Sequence, residues 1–165
     1  LAGMYDQVLG KLELNRTRVN LKDWLAGTLS TWEAAAREKG LNWKMEIASD
    51  LPAVVMDSDR MAQAIGNLLS NAIKFTPAGG RVSTTLTTDS GQLSLQVADS
   101  GIGIPAKDRE QIFQPFYRGG HGRRIVQGMG LGLSIARDIA VAHGGGIELL
   151  PTESGSCFVL RIPIE

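Results

Sequence analysis

Residues 57–80 constrain this chain more than any other stretch. Met61, Ile65, Leu68, Ala72 and Phe75 recur at helical spacing and draw an apolar stripe along one side of a helix. Asp57 stands where an N-cap belongs and Asp59 puts an acid in the first turn, so the pattern predicts a helix from about 58 to 75. Pro77 and Gly79-Gly80 end it. At about 3.6 residues per turn, Asn71 and Lys74 fall within about 40° of Asn67, so two amides and an ammonium share one face. One asparagine in mid-helix is an ordinary solvated residue. Two spaced four apart are less ordinary, because asparagine is a mediocre helix former that prefers caps and turns.

The flanking sequence divides into further elements. Residues 1–14 carry Met4, Val8, Leu9 and Leu12, the pattern of a short amphipathic helix without a clear cap at its start. A second helical pattern, Trp24, Leu25, Leu29, Trp32 and Ala36, runs to Lys39 and meets Gly40, a residue suited to the C-terminal cap. The tryptophans read as core residues. Residues 41–47 alternate apolar and polar, the period of a half-buried strand, and Val54-Val55-Met56 is a short apolar run leading into the central helix. Stretches 81–88 and 92–98 alternate on either side of Asp89-Ser90-Gly91 and predict an antiparallel hairpin. A short helix is expected after Pro105. A loop is expected over 117–128, a helix from about 130 to 143 ending at Gly144-Gly145-Gly146, and a closing hairpin of strands 146–150 and 156–164. This order predicts an α/β, two-layer sandwich, with helices packed on one face of a mixed, mostly antiparallel sheet.

Composition narrows the class. At 165 residues the chain is long enough for one domain with a sizeable core. With Lys+Arg and Asp+Glu both at 17, charge balance gives no general argument for nucleic acid or an anionic membrane. No apolar run reaches the length of a membrane span, and no signal-peptide pattern opens the chain. The lone Cys157 forms no internal disulfide and suits a reducing compartment. The chain opens at Leu1 in helical sequence, which reads as a piece of something longer. A cytoplasmic location is expected, with membrane attachment of the parent left open.

Three segments beyond the central helix carry chemistry. Asp99-Ser100-Gly101-Ile102-Gly103 follows a strand, and a carboxylate at a strand end can accept a hydrogen bond from an exocyclic amine. An isolated DxGxG also reads as a plain Asp-Gly turn. Gly128-Met129-Gly130-Leu131-Gly132-Leu133 runs straight into a helix, where exposed backbone N–H groups suit a phosphate chain. Its glycines follow neither GxGxxG nor a Walker GK[ST], which disfavours Rossmann and P-loop folds. From Arg118 to Arg137 there are four arginines, one histidine and no acid until Asp138, a local excess inside a neutral chain. No His/Cys spacing or carboxylate cluster points to a separate metal site.

Taken together, NLLSNAIKFT at 67–76, DSGIGIP at 99–105, FQPFYRG at 113–119 and GMGLGLSIA at 128–136 resemble the ordered N, G1, F and G2 boxes of sensor histidine kinases. That family belongs to the superfamily shared with gyrase, Hsp90 and MutL. The resemblance covers roughly residues 20 to 163. It implies a Bergerat-type ATP-binding fold, with 19–165 as catalytic domain and 1–18 as the tail of the dimerising helical hairpin and linker; a helix over 1–14 packed on its own domain is the alternative. It implies that Asp99 reads adenine through its amino group, and that Gly101, Gly103, Ile104 and Phe75 shape the base pocket. Asn71 would supply the amide carbonyl for Mg2+ and Lys74 a charge near the phosphates of ATP. Gly128, Gly130, Leu131, Gly132 and Leu133 would carry the phosphate chain. Asn67, Lys74 and Arg118 are the expected catalytic residues, the last in a lid over 117–129, with Arg123, Arg124 and Gln127 weaker candidates. Phe113 and Phe116 would anchor that lid as core aromatics.

The implied reaction is donation of the γ-phosphoryl group to a histidine on a separate dimerisation domain, in the same or a partner chain, with a response regulator downstream. No acceptor box such as SHELRTP is present, and neither His121 nor His143 is expected to be phosphorylated. The piece itself is expected to be monomeric within a homodimeric parent. Two rivals stand beside the kinase: a non-catalytic ATP-responsive binding module, and an ATPase. Hydrolysing relatives carry glutamate where this chain has Asn67, and a neutral amide is no base for an attacking water.

Overall fold

The computed structural model describes residues 12–114 and 132–164. In chain order the elements are β1 (Thr17–Val19), α1 (Leu21–Glu38), β2 (Asn42–Ile47), β3 (Val54–Met56), α2 (Ser58–Lys74), β4 (Arg81–Asp89) and β5 (Gln92–Asp99). A 3-10 turn at Ala106–Asp108 follows, then α3 (Gly132–Ala142), β6 (Gly146–Leu150) and β7 (Ser156–Pro163).

Five strands form one sheet in the order β2-β4-β5-β7-β6, parallel only between β2 and β4 and antiparallel elsewhere. Along β5, Leu93, Leu95 and Val97 are buried and pair with Ile162, Leu160 and Phe158 of β7. The residues between them, Ser94, Gln96 and Ala98, are only partly buried. This is the alternation of a sheet covered on one face. The three helices cover it, so the predicted α/β layering stands. The 3.6-residue stripe of α2 explains its place at the centre, since Met61, Ile65, Leu68, Leu69 and Ala72 are all buried. At roughly 1.5–3 kcal/mol for each large apolar side chain fully buried, that stripe is a major part of the core.

Helix α2 starts where the sequence places it, with the Asp57 carboxylate accepting the Arg60 N–H at 3.0 Å. Asn20 caps α1 in the same way through the Asp23 N–H. The tryptophans of α1 are packing residues: Trp24 donates to the Ser58 carbonyl and Trp32 lies against Gly66 of α2. The β4–β5 hairpin turns through Ser90 and Gly91, both at positive φ, the twist-compatible two-residue turn that Asp-Ser-Gly announces.

Three features differ from the sequence expectation. Residues 17–19 and 54–56 make a separate two-stranded sheet; three residues each give no period to read. The helix expected after Pro105 is only a 3-10 turn, because Pro105 sits at ψ 142°, outside the helix, and offers no side-chain cap. Strand β2 is a sheet edge, so Met45 remains 41% exposed despite its place in the alternation. The expected helix over 1–14 falls almost wholly outside the described residues, as does the 117–128 loop.

Candidate functional site

Asp99 closes β5 and is buried. Its carboxylate accepts the Gly101 N–H at 2.9 Å on one oxygen and the Ser156 hydroxyl at 2.7 Å on the other. Two donors on opposite oxygens fix the orientation of the group, which a plain Asp-Gly turn does not require. The backbone around it is equally fixed. A Cβ on Gly155 would overlap the Asp99 carbonyl, and one on Gly101 would overlap the Phe75 carbonyl, so both positions need glycine. The Gly101–Gly103 turn thus lies against the end of α2, where the Phe75 carbonyl also accepts the Ile102 N–H at 3.3 Å.

That helix end is held from several sides. The Lys39 ammonium donates to the carbonyls of Ile73 and Lys74 at 2.7 and 3.0 Å, a cation at the negative end of the helix dipole. Buried Thr76 donates to the Ala72 carbonyl at 2.7 Å. Phe75 and Ile104 are partly buried beside the turn, while Ile102 is 58% exposed.

The polar face of α2 continues from this corner. Lys74 is exposed, and Asn71 and Asn67 are partly buried. The Asn71 amide nitrogen is shut off from solvent and has no hydrogen-bond partner among the described residues. A half turn of the amide would bring its carbonyl to the same point, so the position can serve either a phosphate oxygen or a cation. An orphan of this kind costs about 1–3 kcal/mol unless something completes it. One turn earlier, Asn67 donates its amide to the Gly132 carbonyl at 3.0 Å, fastening the first residue of α3 to the middle of α2. Leu133 is buried behind it.

The structure therefore gathers Asn67, Asn71, Lys74, Phe75, Asp99, Gly101, Gly103, Ile104, Gly132 and Leu133 around one end of the fold. Arg118, Gly128, Gly130 and Leu131 lie outside the described residues, as do Phe116, His121, Arg123, Arg124 and Gln127. Phe113 is described and packs edge-on against Phe158, with ring centroids 6.0 Å apart. Sequence reading missed Ser156 and Gly155, which lie more than fifty residues from Asp99 and read only as the start of a closing strand and the turn before it. His143 is buried, with both ring nitrogens engaged. No group of three or more metal-binding side chains occurs among the described residues. A single amide is nonetheless enough for Mg2+, which keeps several waters and is held chiefly by phosphates. The Asn71 amide, without a partner among the described residues, therefore fits that ion.

Comparison with known proteins gives the family and the fold. The family model described as "Histidine kinase-, DNA gyrase B-, and HSP90-like ATPase" matches residues 56–165. The adaptive-response sensory kinase SasA of Synechococcus sp. (strain CC9311) is 35% identical over 152 residues, covering 91% of this chain and 40% of SasA. The chain thus spans well under half the length of that relative. Among solved structures, the catalytic domain of histidine kinase ThkA superposes with a TM-score of 0.81 at 30% identity, over 92% of this chain and 99% of that domain. ThkA in complex with the response regulator protein TrrA aligns with a TM-score of 0.79 at 28% identity, over 99% of this chain and 47% of that one. Full-length ShkA in complex with AMPPNP gives 0.83 at 28% identity, over 98% of this chain and 34% of that one.

Proposed function

From the premise that this chain belongs to the histidine kinase-, DNA gyrase B- and HSP90-like ATPase family, as a histidine kinase ATP-binding domain, we propose that it donates the γ-phosphoryl group of ATP to a histidine carried by a separate dimerisation domain. The observation that supports this most is the junction at Phe75, where a buried, fixed carboxylate meets the open amide face of α2. Asp99 accepts the exocyclic amine of adenine, a group guanine does not present at that edge, alongside the Gly101 N–H and Ser156 hydroxyl. Gly103, Ile104 and Phe75 flank the base. Asn71 and Lys74 face the phosphates, and the stretch with Gly128, Gly130, Leu131, Gly132 and Leu133, which in sequence runs into α3, carries them. Arg118 adds charge from the expected lid. Mg2+ bound at Asn71 would neutralise phosphate charge.

Phosphoryl transfer asks the protein mainly to position groups and to balance charge. An acceptor imidazole brings its own lone pair, whereas water needs a base. Asn67 is engaged as a donor to the Gly132 carbonyl; a carboxylate there would have no N–H to give and would face that oxygen. This favours a donor over an ATPase and explains why ATP would be spared while no acceptor is present. The acceptor domain, reached in the same or a partner chain, and a downstream response regulator complete the proposed pathway, with residues 1–18 as the junction to the acceptor domain.

The test is incubation of the chain with γ-labelled ATP, magnesium and a histidine-bearing hairpin from the same parent. Label on the hairpin, none on the chain, and phosphate release below about 1 s⁻¹, the low end of ordinary enzyme rates, are expected. Release at or above that rate would replace the kinase with an ATPase. Binding without transfer would leave an ATP-responsive module.

A further inference from the structure

Helices α2 and α3 run antiparallel and are fastened at both ends. At the site end Asn67 holds the Gly132 carbonyl. At the far end the Asp57 N–H donates to His143 Nε2 at 3.0 Å. Because Nε2 accepts, the proton of this neutral ring sits on Nδ1, which donates to the Ile139 carbonyl at 2.8 Å. His143 is 4% exposed and Asp57 6%, so this contact is shielded from competing water. Asp57 and Asn67 are ten residues apart, Gly132 and His143 eleven, so the two fastenings lie about 15 Å from each other along the pair.

The chain arriving from upstream lands on the remote fastening. The Asn15 N–H donates to the second Asp57 carboxylate oxygen at 2.9 Å, while the first caps Arg60. The Arg16 guanidinium donates to the Ala142 carbonyl, the last residue of α3, at 3.2 Å. The next three residues form β1 and pair with β3, which leads directly into Asp57. Two consecutive residues thus touch the first turn of α2 and the last turn of α3 on either side of the Asp57–His143 contact. A short path of direct contacts connects the entering segment to both helices that build the phosphate end of the site.

We propose that Asp57, His143 and Arg16 are positioning residues: the entering segment at 15–19 sets how α3 lies on α2, and through it how strongly the site end grips phosphates. This rests on the phosphate reading given above for that end. The base corner is built from β5, β7, the turn at Gly101 and Phe75 at the end of α2, and neither fastening bonds to a residue of it, so the device acts on phosphate affinity more than on adenine recognition. Coupling of this kind is reciprocal. Nucleotide phosphates therefore tighten the hold on residue 15 as much as residue 15 tightens the hold on them.

The experiment measures the affinities of the 165-residue chain for Mg-ATP and for adenosine, with melting temperature recorded beside them. His143→Leu, which removes the acceptor, should weaken Mg-ATP by about three- to tenfold, the worth of one ordinary hydrogen bond, and leave adenosine unchanged. His143→Gln, whose amide oxygen can accept from Asp57, should recover most of that loss. Arg16→Ala, an exposed change that does not threaten folding, should shift the ATP-to-adenosine ratio in the same direction by less. Hydrogen exchange at the Asn15 and Asp57 amides should slow when Mg-ATP binds and not when adenosine does. A purely structural role would lower the melting temperature and leave the ratio alone. The inference is overturned if the ratio is unchanged in Arg16→Ala and the two amides ignore Mg-ATP, even where His143→Leu fails to fold. A wild-type chain that binds adenosine but gains nothing from the phosphates would overturn the phosphate reading and this inference with it; a ratio that is insensitive to these variants in a chain that does bind Mg-ATP would overturn this inference alone.

Discussion

The Asp99 corner and the polar face of α2 meet at the Phe75 carbonyl, yet they are built in opposite ways. At the corner the carboxylate is buried, held by a backbone N–H and a hydroxyl, and enclosed by glycines whose neighbours leave no room for a side chain. On the helix face an amide has no partner among the described residues and an ammonium stands exposed. A fixed acceptor discriminates, because a ligand lacking the matching donor leaves it badly satisfied. An open polar face discriminates little and supplies charge and hydrogen bonds to whatever phosphate or ion arrives. One end of the nucleotide would be read and the other gripped.

The largest effect should come from removing the reader. Asp99→Asn preserves size and changes a charged acceptor into a mixed amide, and a hydrogen bond to a charged group contributes about 1.5–3 kcal/mol. ATP affinity should fall by about ten- to a hundredfold in calorimetry while the unliganded melting temperature moves little. Equal affinity in the variant would take Asp99 out of the site.

A smaller effect is expected on the gripping side. Asn71→Ala removes a buried orphan, so the apo protein should melt at the same temperature or slightly higher. The rise in melting temperature produced by Mg-ATP should shrink, since ligand stabilisation follows affinity. If magnesium enhances nucleotide binding equally in both proteins, Asn71 is not its ligand.

The smallest effect concerns Asp57, which lies outside both regions and is followed through stability rather than binding. Burial pushes the Asp57 carboxyl up, but the Arg60 and Asn15 N–H groups, with the Arg60 guanidinium nearby, outweigh it and hold the group below its ordinary value. A depressed folded value means that this stabilisation is present above the unfolded value of about 3.9 and is lost as pH falls through the lower folded one. Asp57→Ala should cost about 1 kcal/mol at neutral pH, the usual worth of an N-cap. It should also flatten the loss of stability in acid, as followed by denaturant titration at several pH values. An unchanged acid limb would mean the cap does not titrate with folding.

Much of this was legible from local pattern. The apolar stripe, Asp57 and Pro77 bounded α2 to within a residue of Ser58–Lys74, and alternation about Asp89-Ser90-Gly91 gave the β4–β5 hairpin. What escaped was set by distant partners. Strands β1 and β3 are too short to show a period. The parallel register of β2 on β4 is fixed by tertiary packing across the α2 crossover. Asp99 was visible as a strand-end carboxylate, but Ser156 and Gly155, which orient and enclose it, come from the far hairpin and carry no local mark of that role. His143, not expected to be phosphorylated, is buried, and nothing near it in sequence points to Asp57.

The most direct test of a reading corner beside a gripping face is calorimetry of the unmodified chain with Mg-ATP and Mg-GTP under identical conditions. The two ligands offer α2 the same phosphates and differ only at the base. ATP is expected to bind at least about tenfold more tightly than GTP, the equivalent of about 1.4 kcal/mol. Equal affinities would mean that Asp99 reads nothing and that the phosphates alone account for binding.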